Sequence, residues 1–446
     1  TSPERMAENL PLWEKLSLCH RTGDLWAVHS SVRLALREGL SLEERIDAHK
    51  RAGGLLEEMA ESGRSHDLSL FRLDALLEAR GHYLEAGDLA EARRVTLRIN
   101  SYLDRRGYCS ELIRLNQEIL EQGKEPDPDM MNWIARAYAH QMDLESASQW
   151  YKSALDAAPN AISYQGLGMI QLGQGEYDQA EDNLQKARQL YLSHEDRRGE
   201  AAVLQSLALI DMARKSGSAA RDKLERAARI FEDLGDKMGE AAILQELAGI
   251  DMMQRHFDSA RPRLARSLEL VREMGDRAGE AVLLFSLADI DREKGELDRA
   301  TEELDQALAI TQQLGDRKGM AASLHGLGMI SAQAGDKEKA ADHFREALSI
   351  YRELEDRPGE AGALFQLGAL AVQMERIQEG LRLMALSAVV LRSIKSDEVK
   401  KIEPVVERLA SQLNLSQDQF ASMLQEVMHS YVKDRGLELV ERTFGG

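Results

Sequence analysis

Two cysteines, Cys19 and Cys109, and 11 histidines are the side chains that could hold a soft metal or supply a nucleophile. Their spacing does neither. No H-E-x-x-H frame places two imidazoles on one helical face, no C-x-x-C offers a thiolate pair, and neither cysteine stands in a recognisable nucleophile motif. No G-x-x-x-x-G-K-[ST] loop occurs either, so no nucleotide site of that type is expected. Gly166-Leu167-Gly168 and Gly326-Leu327-Gly328 are fragments of a glycine loop that fall inside helical patterns, at packing positions. No metal, no cofactor and no catalytic residue is expected, so the chain is read as no enzyme. Leu409, Ala410, Leu413, Leu415, Phe420 and Met423 have the look of a helix-turn-helix, but Ser416 to Tyr431 holds no lysine or arginine for phosphates or base edges. These residues are expected to form a structural cap. Asn414-Leu415-Ser416 is a formal glycosylation acceptor, and Phe444-Gly445-Gly446 reads as a frayed end.

Bulk composition narrows the partners. The 446 residues sum to 57 − 76 = −19 charges, which disfavours nucleic acid and anionic membranes. Hydrophobic residues make up 43%, enough to bury a core. No apolar run approaches the ~18–20 residues of a membrane span, and no secretory signal opens the chain. A pair of cysteines is no disulfide framework. A reduced, cytoplasmic setting is expected. The chain opens on Thr1, the start of a processed chain or of a piece of a longer one.

Internal repetition sets the elements. Gly199-Glu200-Ala201, Gly239-Glu240-Ala241, Gly279-Glu280-Ala281 and Gly359-Glu360-Ala361 keep a 40-residue step, with Gly319-Met320-Ala321 in the remaining copy. Leu207, Leu247, Leu287, Leu327 and Leu367 follow in register, each trailed by alanine or glycine. A second small residue (Ala220, Ala260, Ala300, Ala340, Gly380) and then a bulky one (Leu224, Leu264, Leu304, Phe344, Met384) complete each copy. Ala241, Leu244, Leu247, Ala248 and Ile250 share one side of a 3.6-residue period, and Ala260, Leu264, Ser267 and Leu268 share another, so each copy is two helices. Gly235, Gly275 and Gly315 suit left-handed helix ends, Asp236, Asp276, Asp316 and Asp356 suit N-caps, and Pro358 suits a first turn.

This leucine–small, small, bulky spacing resembles the tetratricopeptide repeat (TPR) family. Residues 128–160 carry a copy near the 34-residue form (Ala135, Tyr138, Ala147, Tyr151, Ala154, Pro159), and the next holds Tyr164, Leu167, Gly168, Ala180, Leu184 and Ala187. The 40-residue form with its Leu-Gly-Asp linker resembles the long repeats of Pins/LGN-type polarity adaptors and of bacterial TPR signalling proteins. Six extra residues are ~9 Å of helix, so longer second helices and linkers are expected. Upstream, Gly23-Asp24-Leu25, Gly87-Asp88-Leu89 and Gly107-Tyr108 look like inter-helix turns, and Ser41 with Glu44 like a capping box. The stretch 94–122 is loosely similar to segments beside TPR arrays in bacterial signal-transduction ATPases. The expected fold is an all-α, right-handed superhelical TPR α-solenoid of roughly ten stacked helical pairs in one continuous body, with a C-terminal helical cap. Its expected parts are degenerate repeats over 1–127, 34-residue repeats over 128–194, five 40-residue repeats over 195–395, and capping helices over 396–446.

The resemblance implies a concave surface lined by the first helix of each pair. Carried onto this sequence, that surface holds Gln205, Gln245, Phe285, His325 and Phe365 at one repeated place, with Gln165 upstream and Met169, Met212, Met252, Met253 and Met329 nearby. The lysine and asparagine of chaperone-type carboxylate clamps are missing there. A soft, methionine-rich trough suits a polypeptide segment. The expected function is a non-enzymatic scaffold for a protein or peptide. The alternatives are the sensor arm of a larger signalling machine, as a subunit or part of an ATPase or protease assembly, and a receptor for a short signalling peptide. Asp211, Asp251 and Asp291 recur where the family carries an aromatic residue. They are read as structural ion-pair members, with Arg221, Arg261 and Arg263 as mates, in preference to a partner-reading stripe.

Overall fold

The computed structural model describes residues 19–22, 25–28, 41–61 and 70–444. The chain divides into two compact units, Thr1–Asp196 and Arg197–Gly446. The division falls where the 40-residue step begins. Among the described residues there are nine helical pairs, followed by three closing helices.

The first unit opens with two short antiparallel strands, Cys19–Thr22 (β1) and Leu25–Val28 (β2), in the register Cys19↔Val28 to Thr22↔Leu25. Leu25 therefore starts a strand, which corrects the reading of Gly23-Asp24-Leu25 as an inter-helix turn; residues 23 and 24 themselves lie outside the described residues. Two short runs separated by Gly-Asp also carry the hairpin signature, which the helical reading overlooks. The paired helices follow: Leu42–Glu61 (α1) with Leu70–Glu85 (α2), Leu89–Arg105 (α3) with Cys109–Gln122 (α4), Pro128–His140 (α5) with Leu144–Ala157 (α6), and Ala161–Gly173 (α7) with Tyr177–Ser193 (α8). Ser41 and Glu44 exchange the two hydrogen bonds of a capping box, and Gly87 and Gly107 turn the chain at φ 69° and 72°.

The second unit is five pairs of even length: Arg197–Ala213 (α9) and Gly217–Leu234 (α10), Lys237–Met253 (α11) and Phe257–Met274 (α12), Arg277–Lys294 (α13) and Leu297–Leu314 (α14), Arg317–Ala334 (α15) and Lys337–Glu353 (α16), Arg357–Gln373 (α17) and Ile377–Ser393 (α18). Every one has 17 or 18 residues, against 13 in α5 and 14 in α6, so the added residues lengthen both helices of a pair. Gly235, Gly275 and Gly315 close their helices at φ 64°, 72° and 68°, and Asp236, Asp276, Asp316 and Asp356 each accept the backbone N–H three residues on. The glycine after each aspartate is also a packing requirement. At Gly239 and Gly359 a methyl group would collide with the rings of Phe231 and Tyr351 from the preceding helix.

Polar contacts at fixed offsets tie the pairs. Arg221 reaches Asp251 at 2.6 Å, and Arg261 holds Asp291 through two hydrogen bonds of 2.7 and 3.0 Å, each from a second helix to the first helix of the next pair. Within a pair, Arg263 bonds Asp251 and Lys223 bonds Asp211. Asp251 and Asp291 are 1% and 0% exposed. Structural pairing is the role the geometry gives them. The repeated glutamate is a second anchor: Glu240 takes Arg266 at 3.1 Å, and Glu280 takes Arg272 at 2.8 Å.

Val399–Gln412 (α19), Gln417–Asp434 (α20) and Leu437–Phe444 (α21) close the stack. Ser416 and Gln419 form the expected capping box at α20. Val406, Leu409, Met423, Val427 and Val440 join one buried cluster with Leu381 and Leu386, so the last pair's apolar face is covered. Arg435 of this cap adds a third guanidinium to buried Glu360, beside Arg352 at 3.1 Å and Arg357 at 2.9 Å.

Candidate functional site

In the first unit, three first helices, the α5–α6 link and α6 line an open cleft of about 790 Å³. Leu97 comes from α3, Trp133 from α5, and Ile162, Met169 and Ile170 from α7, while Met142 enters from the α5–α6 link and Leu144 from the start of α6. Trp133, Ile162 and Met169 lie outside the buried stripes of their helices, while Ile170 belongs to that of α7. Met142, Ile162 and Met169 are 77%, 52% and 42% exposed, a concentration of large apolar surface. Gly166 stands at the place Trp133 holds one pair earlier, just before the helix's core aliphatic residue. A methyl at Gly166 would run into the Tyr151 ring, which also lines the cleft. Burial pushes the Tyr151 hydroxyl up to about 12, with nearby Arg136 opposing.

Charge at the cleft is internally matched. Asp104 accepts from Arg136 at 2.8 and 3.1 Å, and His140 Nε2 lies 3.2 Å from its carboxylate. The Arg136 guanidinium lies 5.6 Å from the centre of the Trp133 ring. Asp129 pairs with Arg93 at 2.5 Å. The walls can therefore take up apolar side chains of a bound chain, a use that fits the volume of ordinary ligand pockets. Among the described residues, no group of three or more histidine, cysteine, aspartate or glutamate side chains could hold a metal ion, and no helix is long and apolar enough to cross a membrane.

Of the eleven residues expected at the groove, Gln165 and Met169 line this cleft. The others lie on the first helices of the second unit. Phe285 and Met253 are exposed, at 38% and 80%. Phe365, Met329, Met212 and Met252 are partly buried against the core. His325 turns its ring edge-on to Phe344 at 5.3 Å and towards Tyr351 at 6.4 Å, and burial pushes it down to about 4, so it is neutral at pH 7. Gln205 donates to Glu246 at 2.5 Å, and Gln245 to the Ser267 hydroxyl at 3.2 Å. Trp133, Met142 and Ile162 escape the sequence reading. A tryptophan followed one copy later by Gly166 at the same place is a usable signal, since it pairs a large side chain with an empty one.

Family profiles described as tetratricopeptide repeat match residues 279–353 and 320–385, and another of that description matches 113–162. The chain carries tetratricopeptide repeats over those residues. Its 40-residue TPR copies and the shorter ones near the cleft are thus both matched in part. A search of curated protein sequences finds no match. Among solved structures, the TPR stack is similar to a signal transduction ATPase with numerous domains from Pyrococcus horikoshii that has a tetratricopeptide repeat sensor. There the identity is 14% and the TM-score 0.54, over 97% of this chain and 60% of that one. It is also similar to the apo form of RapI, at 18% identity and TM-score 0.59, over 76% of this chain and 98% of that one. At such identities the likeness is one of fold. This chain spans 60% of the length of the ATPase chain.

Proposed function

We propose that this TPR protein is a non-enzymatic recognition scaffold that holds a segment of another polypeptide along its first-helix faces. The single observation that carries this reading is the cleft of about 790 Å³ with Trp133, Met142, Ile162 and Met169 on its walls. Apolar side chains left open on a rigid helical frame gain free energy when a partner covers them, at roughly 25 cal/mol per Å². In the second unit the corresponding faces carry Gln205, Gln245, Phe285, His325 and Phe365, with Met212, Met252, Met253 and Met329. Their contribution is through Phe285 and Met253, which are exposed, more than through His325, which is packed. The test compares capture from the native cell by the wild-type chain and by a Trp133→Ala, Met169→Ala variant. The variant is expected to keep its far-UV circular dichroism and to lose the partner by about tenfold or more, as central aromatic anchors do. Equal capture by both would sink the cleft assignment.

A second reading is that the scaffold serves as the sensor arm of a larger signalling machine. What favours it is the match across 97% of this chain to a protein whose repeats are described as a sensor. Sequencing the complete gene decides this: a nucleotide-binding domain in the same reading frame supports it, and a gene holding only these repeats removes it.

A further inference from the structure

We propose that the first-helix face of the second unit reads a lysine or arginine side chain of the bound polypeptide, and that Glu246 is the group that reads it. This rests on the scaffold reading above and names the chemistry of one subsite. Glu246 sits on α11 just before Leu247, the same place that Trp133 and Gly166 fill in the cleft of the first unit. Its Oε1 accepts from Gln205 Nε2 at 2.5 Å, and its Oε2 is buried with no hydrogen-bond partner.

Asp251 Oδ1 and Glu303 Oε2 are likewise buried without a hydrogen bond, but both of those carboxylates face an arginine. Asp251 has Arg221, Asp291 has Arg261, Glu240 has Arg266, Glu280 has Arg272 and Glu360 has Arg352. Glu246 has only the neutral amide of Gln205, and burial raises its carboxyl above the usual range with no cation opposing. A carboxylate oxygen withdrawn from water without a counter-charge is unfavourable, so a cation arriving in a bound segment gains from meeting it. The carboxylate torsion is soft, which lets Oε2 turn outward while Oε1 keeps its amide. On the first helices of this pair and the next, Val282 and Phe285 of α13 are 61% and 38% exposed, and Met253 ends α11 at 80%. Charge and apolar surface together fit a basic side chain flanked by apolar ones.

The experiment selects a displayed library of random short peptides on the full wild-type chain and on Glu246→Gln, which preserves volume and the contact to Gln205. Circular dichroism checks that both keep the same helix content. The expected result is enrichment of lysine or arginine at one position beside apolar residues on the wild type, and loss of that preference on the variant. A synthetic selected peptide should bind the wild type about tenfold tighter than E246Q. Replacing its basic residue by norleucine or citrulline should erase the difference. Affinity for the wild type should fall on acidification as Glu246 takes up a proton, and stay level for the variant. Peptides selected without a basic position, or bound equally by both proteins, overturn the role of Glu246 and leave the scaffold reading standing. If neither protein selects any peptide, the scaffold reading fails and this subsite with it.

Discussion

Residues 197–393 and residues 70–122 both bury polar side chains between stacked helices, yet by different means. In the later stretch one solution is copied: Arg221 to Asp251 and Arg261 to Asp291 span the same 30 residues. In the earlier stretch each contact is singular. Arg80 donates to Thr96 at 2.8 Å and to the Leu115 carbonyl at 2.8 Å, and pairs with Glu118 at 2.8 Å. Asn100 and Asn116 exchange amide hydrogen bonds of 2.8 and 2.9 Å with no counterpart elsewhere in that stretch. Even the copied ladder stops at its edge, because the residue 30 places before Asp211 is Glu181, and Asp211 bonds Lys223 in its own pair. The concavity at Trp133 lies in the less regular unit.

Substitutions can break or sharpen this contrast. The largest effect belongs to the regular stack. Phe344 is 1% exposed and packs where Gly328 leaves space, so Phe344→Ala should destabilise by about 3–5 kcal/mol in chemical denaturation. A loss under about 1 kcal/mol would mean the second unit's core repacks freely. Next comes the cap. Glu360→Ala strands three guanidinium groups around a site with 0% exposure, and should cost about 3 kcal/mol. Burial alone would raise the Glu360 carboxyl, but Arg435, Arg357 and Arg352 hold it low. Its contribution is therefore present above the unfolded value of 4.5 and lost as pH falls through the lowered folded value. E360A should show the weaker acid dependence in denaturation midpoints below about pH 5.

In the irregular unit, Asn100→Ala leaves a buried amide on Asn116 half satisfied, for a loss of about 1–3 kcal/mol. Asn116→Ala in the same background should add little, because the pair is already broken. Full additivity of the two would show that the amides act separately.

The smallest effect is one of pH, again in the regular stack. Burial and the adjacent Asp291 push Glu303 up to about 7, against Arg261 and Arg299. A carboxyl raised in the fold contributes stability that is present below the unfolded value of 4.5 and lost as pH rises towards 7. Glu303→Gln should flatten the change in thermal midpoint between about pH 5 and pH 7. Identical slopes for wild type and variant would contradict this.

Much of the fold is legible in the order of the amino acids. The 40-residue step, the capping aspartates and the paired small residues at Ala208 and Ala220, Ala248 and Ala260 are local or periodic signals, and the same backbone geometry satisfies them in every copy. The hairpin at Cys19–Val28 is not legible in this way, because four-residue strands carry too little periodicity to outweigh an expected helix. The binding face is legible as a set of places but not as a surface. His325 and Phe285 occupy the same place in their repeats, yet one is covered by Phe344 and the other is open.

Taken alone, the sequence determined that helices pair, where they start and stop, and which residues are small enough to let them approach, because hydrogen bonding and steric fit act within a turn or across one repeat. Tertiary structure decided which repeated polar groups found partners. Asp251 and Asp291 gained arginines from a neighbouring pair, Glu246 did not, and Trp133, Met142 and Ile162 converged on one cleft. Those outcomes depend on distances between residues tens of positions apart, which a repeat pattern fixes for the backbone but not for the ends of long side chains.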